Sequence, residues 1–464
     1  MNQACSVTAA FSTLSLPADV LANLDQLGYT EMTPVQAQSL PLMLAGKDVI
    51  AQARTGSGKT AAFGIALLQA LNPRQYDCQS LVLCPTRELA DQVAREIRRL
   101  ARAAGNIKIL TLCGGVAMGP QVGSLEHGAQ IIVGTPGRVQ KHLLKGSLKL
   151  DGLNTLVLDE ADRMLDMGFY DSIAEIIAQL PGKRQTLLFS ATYPSGVKQL
   201  AKSFMRDPQQ VQAESLHDDS EIEQRFYEID PEERMQTVAR VLACYRPEST
   251  VAFCFTKQQC DELTRYLRAN GIVAEPLHGD MEQRDRDDVL TLFASKSLSV
   301  LVATDVAARG LDIDALDMVI NVELARDVET HIHRIGRTGR AGKKGLAVSL
   351  VAPPETRRAQ AIAEMQKSAL NWHPLASLKP QAGGQLQPPM ATLCIAAGRK
   401  DKIRPGDILG ALTGEAGLPG SQVGKITITD FQSFVAVDRS IVNEAQARLS
   451  AGKIKGRSLR VRAL

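Results

Sequence analysis

The sequence predicts an α/β protein, with two tandem parallel-sheet domains followed by a small α+β domain. Three observations carry that expectation. A chain of 464 residues with 44% apolar content has the length of about three domains and ample material for packed cores. Short apolar runs alternate with helical stretches in two successive copies, as strands do in a parallel sheet covered by helices. The net charge of +3 is unevenly placed, because residues 391–464 hold twelve Lys/Arg against six Asp/Glu and leave −3 for the rest.

The borders follow from composition. Arg206 to Gln224 is polar without helical periodicity, and His373 to Met390 is rich in Pro and Gly, the composition of a linker. The expected domains are therefore 11–210 and 220–370, a linker over 371–389, and a tail domain over 390–464. The eight cysteines never form Cys-x-x-Cys and never adjoin clustered histidines, so neither a zinc site nor a disulfide framework is suggested. No basic-then-apolar leader opens the chain, and no run approaches the roughly 18 apolar residues of a membrane span. The expectation is a cytoplasmic protein without a membrane partner.

In the first block the strands are read at DVIAQA, LVLC, IIVG, TLVL and TLLF. The first of these feeds the loop Ala53-Arg54-Thr55-Gly56-Ser57-Gly58-Lys59-Thr60, and a helix of good formers begins at Lys59. That is a place for phosphate. Gly56 and Gly58 let consecutive N–H groups turn inward as an anion nest, Lys59 adds a point charge, and Thr60 offers a hydroxyl to Mg²⁺. The strict phosphate-loop pattern asks for Gly at Ala53, so taken alone the loop also fits a Gly-Ser-Gly turn ahead of a helix. Further on, TLVLDEADRML brings Asp159 and Glu160 to a strand's C-terminal edge, where parallel sheets place ligands. Asp159 suits Mg²⁺, and Glu160 suits the orientation and deprotonation of an attacking water. Acidic residues also favour a helix's first turn for electrostatic reasons alone.

Asp159-Glu160-Ala161-Asp162 spells D-E-A-D, and from about Phe11 to about Asn371 the chain resembles the DEAD-box RNA helicases, whose two domains are RecA-like. That family's loop is A-x-T-G-x-G-K-T, so Ala53 and Thr55 match it. Ser190-Ala191-Thr192 matches the family element whose hydroxyls couple the acidic site, through Asp162, to the RNA-facing surface; elsewhere Ser-x-Thr is an ordinary helix cap. Thr33-Pro34-Val35-Gln36 is a good capping box by itself. The resemblance implies that Gln36 reads adenine with its two-sided amide and that Phe11 stacks on the base, giving ATP rather than GTP.

The second block has strands at VAFCF, VLVAT and MVINV, and Ala252 to Glu262 faintly echoes Val82 to Gln92. In HRIGRTGR the resemblance assigns Arg337 and Arg340 to the γ-phosphate as arginine fingers in cis. In ATDVAARGLDI it brings Thr304 and Asp305 to RNA and Asp312 to the ribose. ATP would lie between two lobes, whose closure would complete the catalytic set of Lys59, Glu160, Arg337 and Arg340. The implied RNA track runs through Thr86-Arg87, Gly114-Gly115 and Thr135 to Arg138, then Thr256, His278-Gly279 and Gln283 to Arg286. Such Ser/Thr, glycine and arginine contacts suit a sugar-phosphate strand read without base identity.

The tail reads as β-α-β-β-α-β, with strands at TLCIAA, GKITITD, SFVAV and SLRVRA and helices at Pro405 to Leu412 and Ile441 to Leu449. That order suits an RNA-recognition-motif-like (RRM-like) fold. Gln432 stands at one position where such domains carry a stacking aromatic, and Phe434 keeps another. Contact is expected instead from Arg399, Lys400, Lys402 and Arg404 with Lys453, Lys455, Arg457, Arg460 and Arg462. RPGDILGALTGEAGL and GKIKGRSLRVR resemble the C-terminal domain of the DbpA group of bacterial helicases, which implies 23S rRNA and pre-50S particles as partners. The expectation is a monomeric ATP- and Mg²⁺-dependent RNA helicase that opens short duplexes during large-subunit assembly. The contrasting reading is an ATP-gated RNA clamp that remodels little. A small-molecule kinase fits less well, because it would not require the arginine motif of the second block.

Overall fold

The computed structural model describes residues 9–53, 56–212, 222–308, 316–339, 344–366, 369–381, 385–415 and 417–464. Of the residues singled out above, Arg54, Thr55, Asp312 and Arg340 lie outside them. The chain forms two compact units, one holding the first block and the other the second block with the tail.

The first unit is built on seven parallel strands: β1 (Val49–Gln52), β2 (Ser80–Leu83), β3 (Ile109–Leu112), β4 (Ile131–Gly134), β5 (Thr155–Leu158), β6 (Gln185–Ser190) and β7 (Gln209–Gln212). Their order is β3-β4-β2-β5-β6-β1-β7. Successive side chains of a strand point to opposite faces, and the sheet is buried on both. Val82, Val157, Leu187 and Phe189 enter one apolar layer, while Leu81, Leu83, Leu156, Leu158 and Leu188 enter the other. Helices Pro34–Leu44, Lys59–Ala70 and Arg87–Leu100 contribute to the first layer. Each fully buried Leu, Ile or Val contributes about 1.5–3 kcal/mol, so both faces are held firmly and function is left to the strand ends.

The second unit contains six parallel strands, β8 (Ile222–Glu228), β9 (Thr250–Cys254), β10 (Ala274–Leu277), β11 (Val300–Thr304), β12 (Met318–Asn321) and β13 (Gly345–Val351), in the order β10-β11-β9-β12-β13-β8. The tail adds four antiparallel strands, β14 (Met390–Ile395), β15 (Val423–Ile428), β16 (Ser433–Asp438) and β17 (Val461–Ala463), in the order β15-β16-β14-β17. Helices Pro405–Gly410 and Val442–Ala451 complete the expected β-α-β-β-α-β order. They cover one face, where Leu393, Ile395, Val435 and Val437 pack with Ile408, Ala445 and Leu449.

The opposite face of the tail sheet is closed as well. Thr392, Cys394, Phe434 and Ala436 alternate with the core residues, yet they are only 0–3% exposed. The second lobe meets this face at Thr392: Ser295 Oγ and Ser297 Oγ lie 2.9 and 2.8 Å from Thr392 Oγ1, and beside it Met390 N donates to Lys296 O at 3.2 Å. Phe434, a stacking position by sequence, is buried, at 3% exposure. Of the segment read as a linker, residues 371–381 and 385–389 are described and contact the second lobe. His373 N donates to Phe226 O at 2.8 Å, and Leu378 and Leu386 enter the lobe's apolar core.

Candidate nucleotide site and RNA-facing edges

Strands β5, β6 and β1 are neighbours, so the segments leaving their C-terminal ends meet at one edge. Ala53 N donates to Ser190 O at 3.0 Å, which joins the start of the phosphate loop to the end of β6. Gly56 and Gly58 have φ of +83° and +90°, a region glycine enters without steric cost. A Cβ at Gly58 would also sit 2.5 Å from Gln36 Nε2. That contact reflects how the loop is held: Gln36 Nε2 donates to Gly58 O at 3.0 Å and Thr33 Oγ1 donates to Ser57 O at 2.7 Å. Gln36 Oε1 meanwhile accepts from Thr33 N at 2.8 Å. The helix cap and the loop clamp are thus one piece of chemistry. Phe11 is 3% exposed and packs edge-on to Tyr29.

Lys59 opens helix Lys59–Ala70, its Nζ donating to Ala53 O at 2.9 Å, and Thr60 follows in the same first turn. Asp159, 2% exposed at the end of β5, has its carboxyl pushed up to about 6 by burial, against the opposing pull of Lys59 and with repulsion from Glu160. Glu160 has left-handed backbone, φ 52° and ψ 52°, a conformation costing about 1–2 kcal/mol outside glycine. Its carboxylate accepts from Arg163 Nη1 at 2.7 Å in a buried pair. Sequence reasoning passed over Arg163, although an i, i+3 acid–arginine pair at a helix start was readable.

Asp162 gathers the third group. Its Oδ2 accepts from Ala191 N, Thr192 N and Thr192 Oγ1 at 3.2, 2.9 and 2.9 Å, while Asp162 N donates to Ser190 Oγ at 3.3 Å and Ser190 Oγ donates to Thr192 O at 2.6 Å. The acidic strand end and the Ser-Ala-Thr turn are therefore one hydrogen-bonded body. A shift of either displaces the other.

On the same side of the sheet, β2, β4 and β3 lead into Thr86-Arg87, Thr135 to Arg138 and Gly114-Gly115. Thr86 caps helix Arg87–Leu100, accepting from Leu89 N, and Arg87 Nε lies 3.7 Å from Asp91. Arg138 donates to Gln121 Oε1 at 2.8 Å and to Val116 O at 2.9 Å, which fixes the turn holding Gly115. In the second unit, β9, β10 and β11 are likewise adjacent and lead into Thr256, His278-Gly279 and Thr304-Asp305. Thr256 caps helix Lys257–Ala269, and Arg286 stands in the first turn of helix Gln283–Ala294. Asp305, expected near RNA, has both carboxylate oxygens on Arg334 at 2.6 and 2.8 Å. Arg334, 1% exposed, also donates to Asn321 Oδ1 and Glu323 O. The first arginine of the HRIGRTGR motif is thus a buried anchor that sequence did not single out; Arg337 follows it, 5% exposed.

In the tail, Lys400, Lys402, Arg404, Lys453, Lys455 and Arg457 are exposed. The two loops that carry most of them touch, with Lys455 Nζ donating to Lys402 O at 2.6 Å and Arg457 lying 3.8 Å from Asp401. Lys400 Nζ sits 4.2 Å from the ring centre of Phe431, an aromatic that is 65% exposed.

Three family descriptions match the chain: DEAD/DEAH box helicase over residues 33–200, helicase conserved C-terminal domain over 233–342, and DbpA RNA binding domain over 392–463. The ATP-dependent RNA helicase DbpA of Escherichia coli (strain K12) is 53% identical over 459 residues, covering 98% of this chain and 99% of that protein. The DEAD-box ATP-dependent RNA helicase CshA of Bacillus subtilis (strain 168) is 42% identical over 79% of this chain and 74% of its own length. Among solved structures, S. cerevisiae Dbp5 bound to RNA and ADP BeF3 matches with a TM-score of 0.72 and 30% identity, covering 79% of this chain and 96% of that one.

Proposed function

The chain belongs to the DEAD-box ATP-dependent RNA helicases, and from that premise we propose that it opens or remodels short duplexes of 23S rRNA locally during assembly of the 50S subunit, as a cytoplasmic monomer. The observation that carries the target is the tail, whose sequence resembles the DbpA RNA-binding domain and whose two basic loops adjoin.

In this reading Thr33 and Gln36 hold the phosphate loop in shape while Gln36 and Phe11 face adenine, and Lys59 exchanges Ala53 O for the outer phosphates. The oxygen donors of Asp159 and Thr60 fit Mg²⁺, a hard cation held by one or two carboxylates plus substrate phosphates; when bound it would neutralise phosphate charge. Glu160, oriented by Arg163, takes the proton of the attacking water. Arg337 and Arg340 stabilise the transferred phosphate's charge. Asp162 with Ser190 and Thr192 ties that chemistry to the RNA-facing edge, where Arg87, Gly115, Thr135 and Arg138, with Thr256, Arg286 and Thr304, contact sugar-phosphate. Asp305 serves this edge indirectly, through Arg334.

The test is ATPase and strand displacement by the full-length chain, with a 23S rRNA fragment beside random RNA of equal length. Stronger stimulation by the rRNA fragment, with release of a short annealed strand, is expected. Equal stimulation overturns the target. Stimulated hydrolysis without release overturns unwinding in favour of the clamp.

A further inference from the structure

We infer that a cleft between the second lobe and the tail sheet binds the sugar-phosphate backbone of single-stranded RNA, carrying the lobe's RNA-facing edge onto the tail. This rests on the reading of the chain as an RNA helicase. The cleft has a volume of about 360 Å³ and is lined by Arg284, Cys394, Ala396, Gln432, Arg460 and Arg462. Arg284 comes from the lobe, in the first turn of helix Gln283–Ala294. It lies within Gln283 to Arg286, a stretch of the expected RNA track. The other five come from the tail.

The chemistry of the lining selects an anion. Three guanidinium groups from two domains converge on one opening, and among the described residues none of them forms an ion pair. The nearby carboxylate Asp288 feels Arg284 and Arg462 and also the like charges of Asp285 and Asp287 on its own helix, while the lining itself holds no acid. Arg462 pairs in register with Cys394 across β14 and β17, which places both residues at the cleft wall. A phosphodiester matches such forked donors in charge and geometry. The lining holds no aromatic ring, and Phe434 of the same sheet face is buried. The cleft therefore positions a backbone and does not read bases. Phe431, next to Gln432 in sequence, offers the exposed ring on which an adjoining base would stack.

The experiment measures RNA affinity against salt by fluorescence anisotropy with the full-length protein. One probe is a labelled 23S rRNA hairpin; the other is the same hairpin with an oligouridine extension of about 10 nucleotides, within the range of single-strand site sizes. For the extended probe, Arg284→Ala with Arg460→Ala should flatten the plot of log affinity against log salt by about 0.7 per lost phosphate contact, and by more than it does for the hairpin alone. Arg284→Lys with Arg460→Lys keeps the charges and should restore the slope. An unchanged slope on the extended probe overturns the cleft, and so does equal flattening on both probes. RNA-stimulated ATPase of the wild-type protein is read in parallel. Its absence overturns the helicase reading, whereas its presence beside unchanged slopes overturns only the cleft.

Discussion

The acidic strand ends of the first unit and the basic loops of the tail, both proposed above to handle phosphate, are built in opposite ways. Asp159, Glu160 and Asp162 are 2–4% exposed, and each is placed by named donors or by a strained backbone. Lys402, Lys453, Lys455 and Arg457 are open to water, and acids stand 3.8 Å from Lys455 and Arg457. Removing water strengthens every electrostatic contact and fixes its direction, which is what a reaction needs. Solvated charges act through a screened field, which attracts a polyanion without fixing it. Position is therefore worth most in the first region, and charge count in the second.

The sharpest way to break that contrast is at Glu160. Glu160→Gln keeps size and hydrogen bonding and removes the base, so RNA-stimulated turnover should fall by about 10²–10⁴ while ATP and RNA still bind. Near-normal steady-state ATPase would remove Glu160 from the chemistry.

A second test concerns Asp159. Burial lifts its carboxyl from 3.8 to about 6, so this group favours the fold below pH 3.8 and that contribution is lost as pH rises through about 6. The carboxylate that would hold a cation is the form present above that range. The advantage that Mg²⁺ gives to ATP binding should therefore decline as pH falls through about 6, and Asp159→Asn should make it small at every pH. A titration by calorimetry with and without Mg²⁺ checks both statements.

The smallest effect belongs to the tail. Replacing Lys453, Lys455 and Arg457 by Ala together should flatten the salt dependence of rRNA binding by about 2–3 in slope and leave thermal stability within about 0.5 kcal/mol, as exposed substitutions do. A loss of affinity with no change in slope would mean that these groups act by shape.

Much of this was legible in sequence, and the gaps have physical causes. The central strands β2, β4, β5, β9 and β11 are near-continuous apolar runs because both faces of a parallel sheet are buried. The edge strands lack that signal. β10 carries Pro276, which is tolerated because the strand has a partner on one side only. β7 is Gln-Gln-Val-Gln and buries one residue in four. The phosphate loop, the acidic motif and the Ser-Ala-Thr turn were visible as words, whereas the bonds from Asp162 to Thr192 join positions thirty residues apart. Arg334 was visible as a charge, and only the folded lobe reveals that Asp305 holds it.

Thr392, held between Ser295 and Ser297, has a consequence for geography along the RNA. A sheet face that elsewhere stacks bases is used here as a mounting plate, so the recognition element and the motor lobe are set at a fixed span. On the proposed reading such a mounting would act as a ruler, the duplex opened being set by its distance from the recognised element as well as by affinity. Nucleotides inserted between the two would shift the melted stretch by the same number.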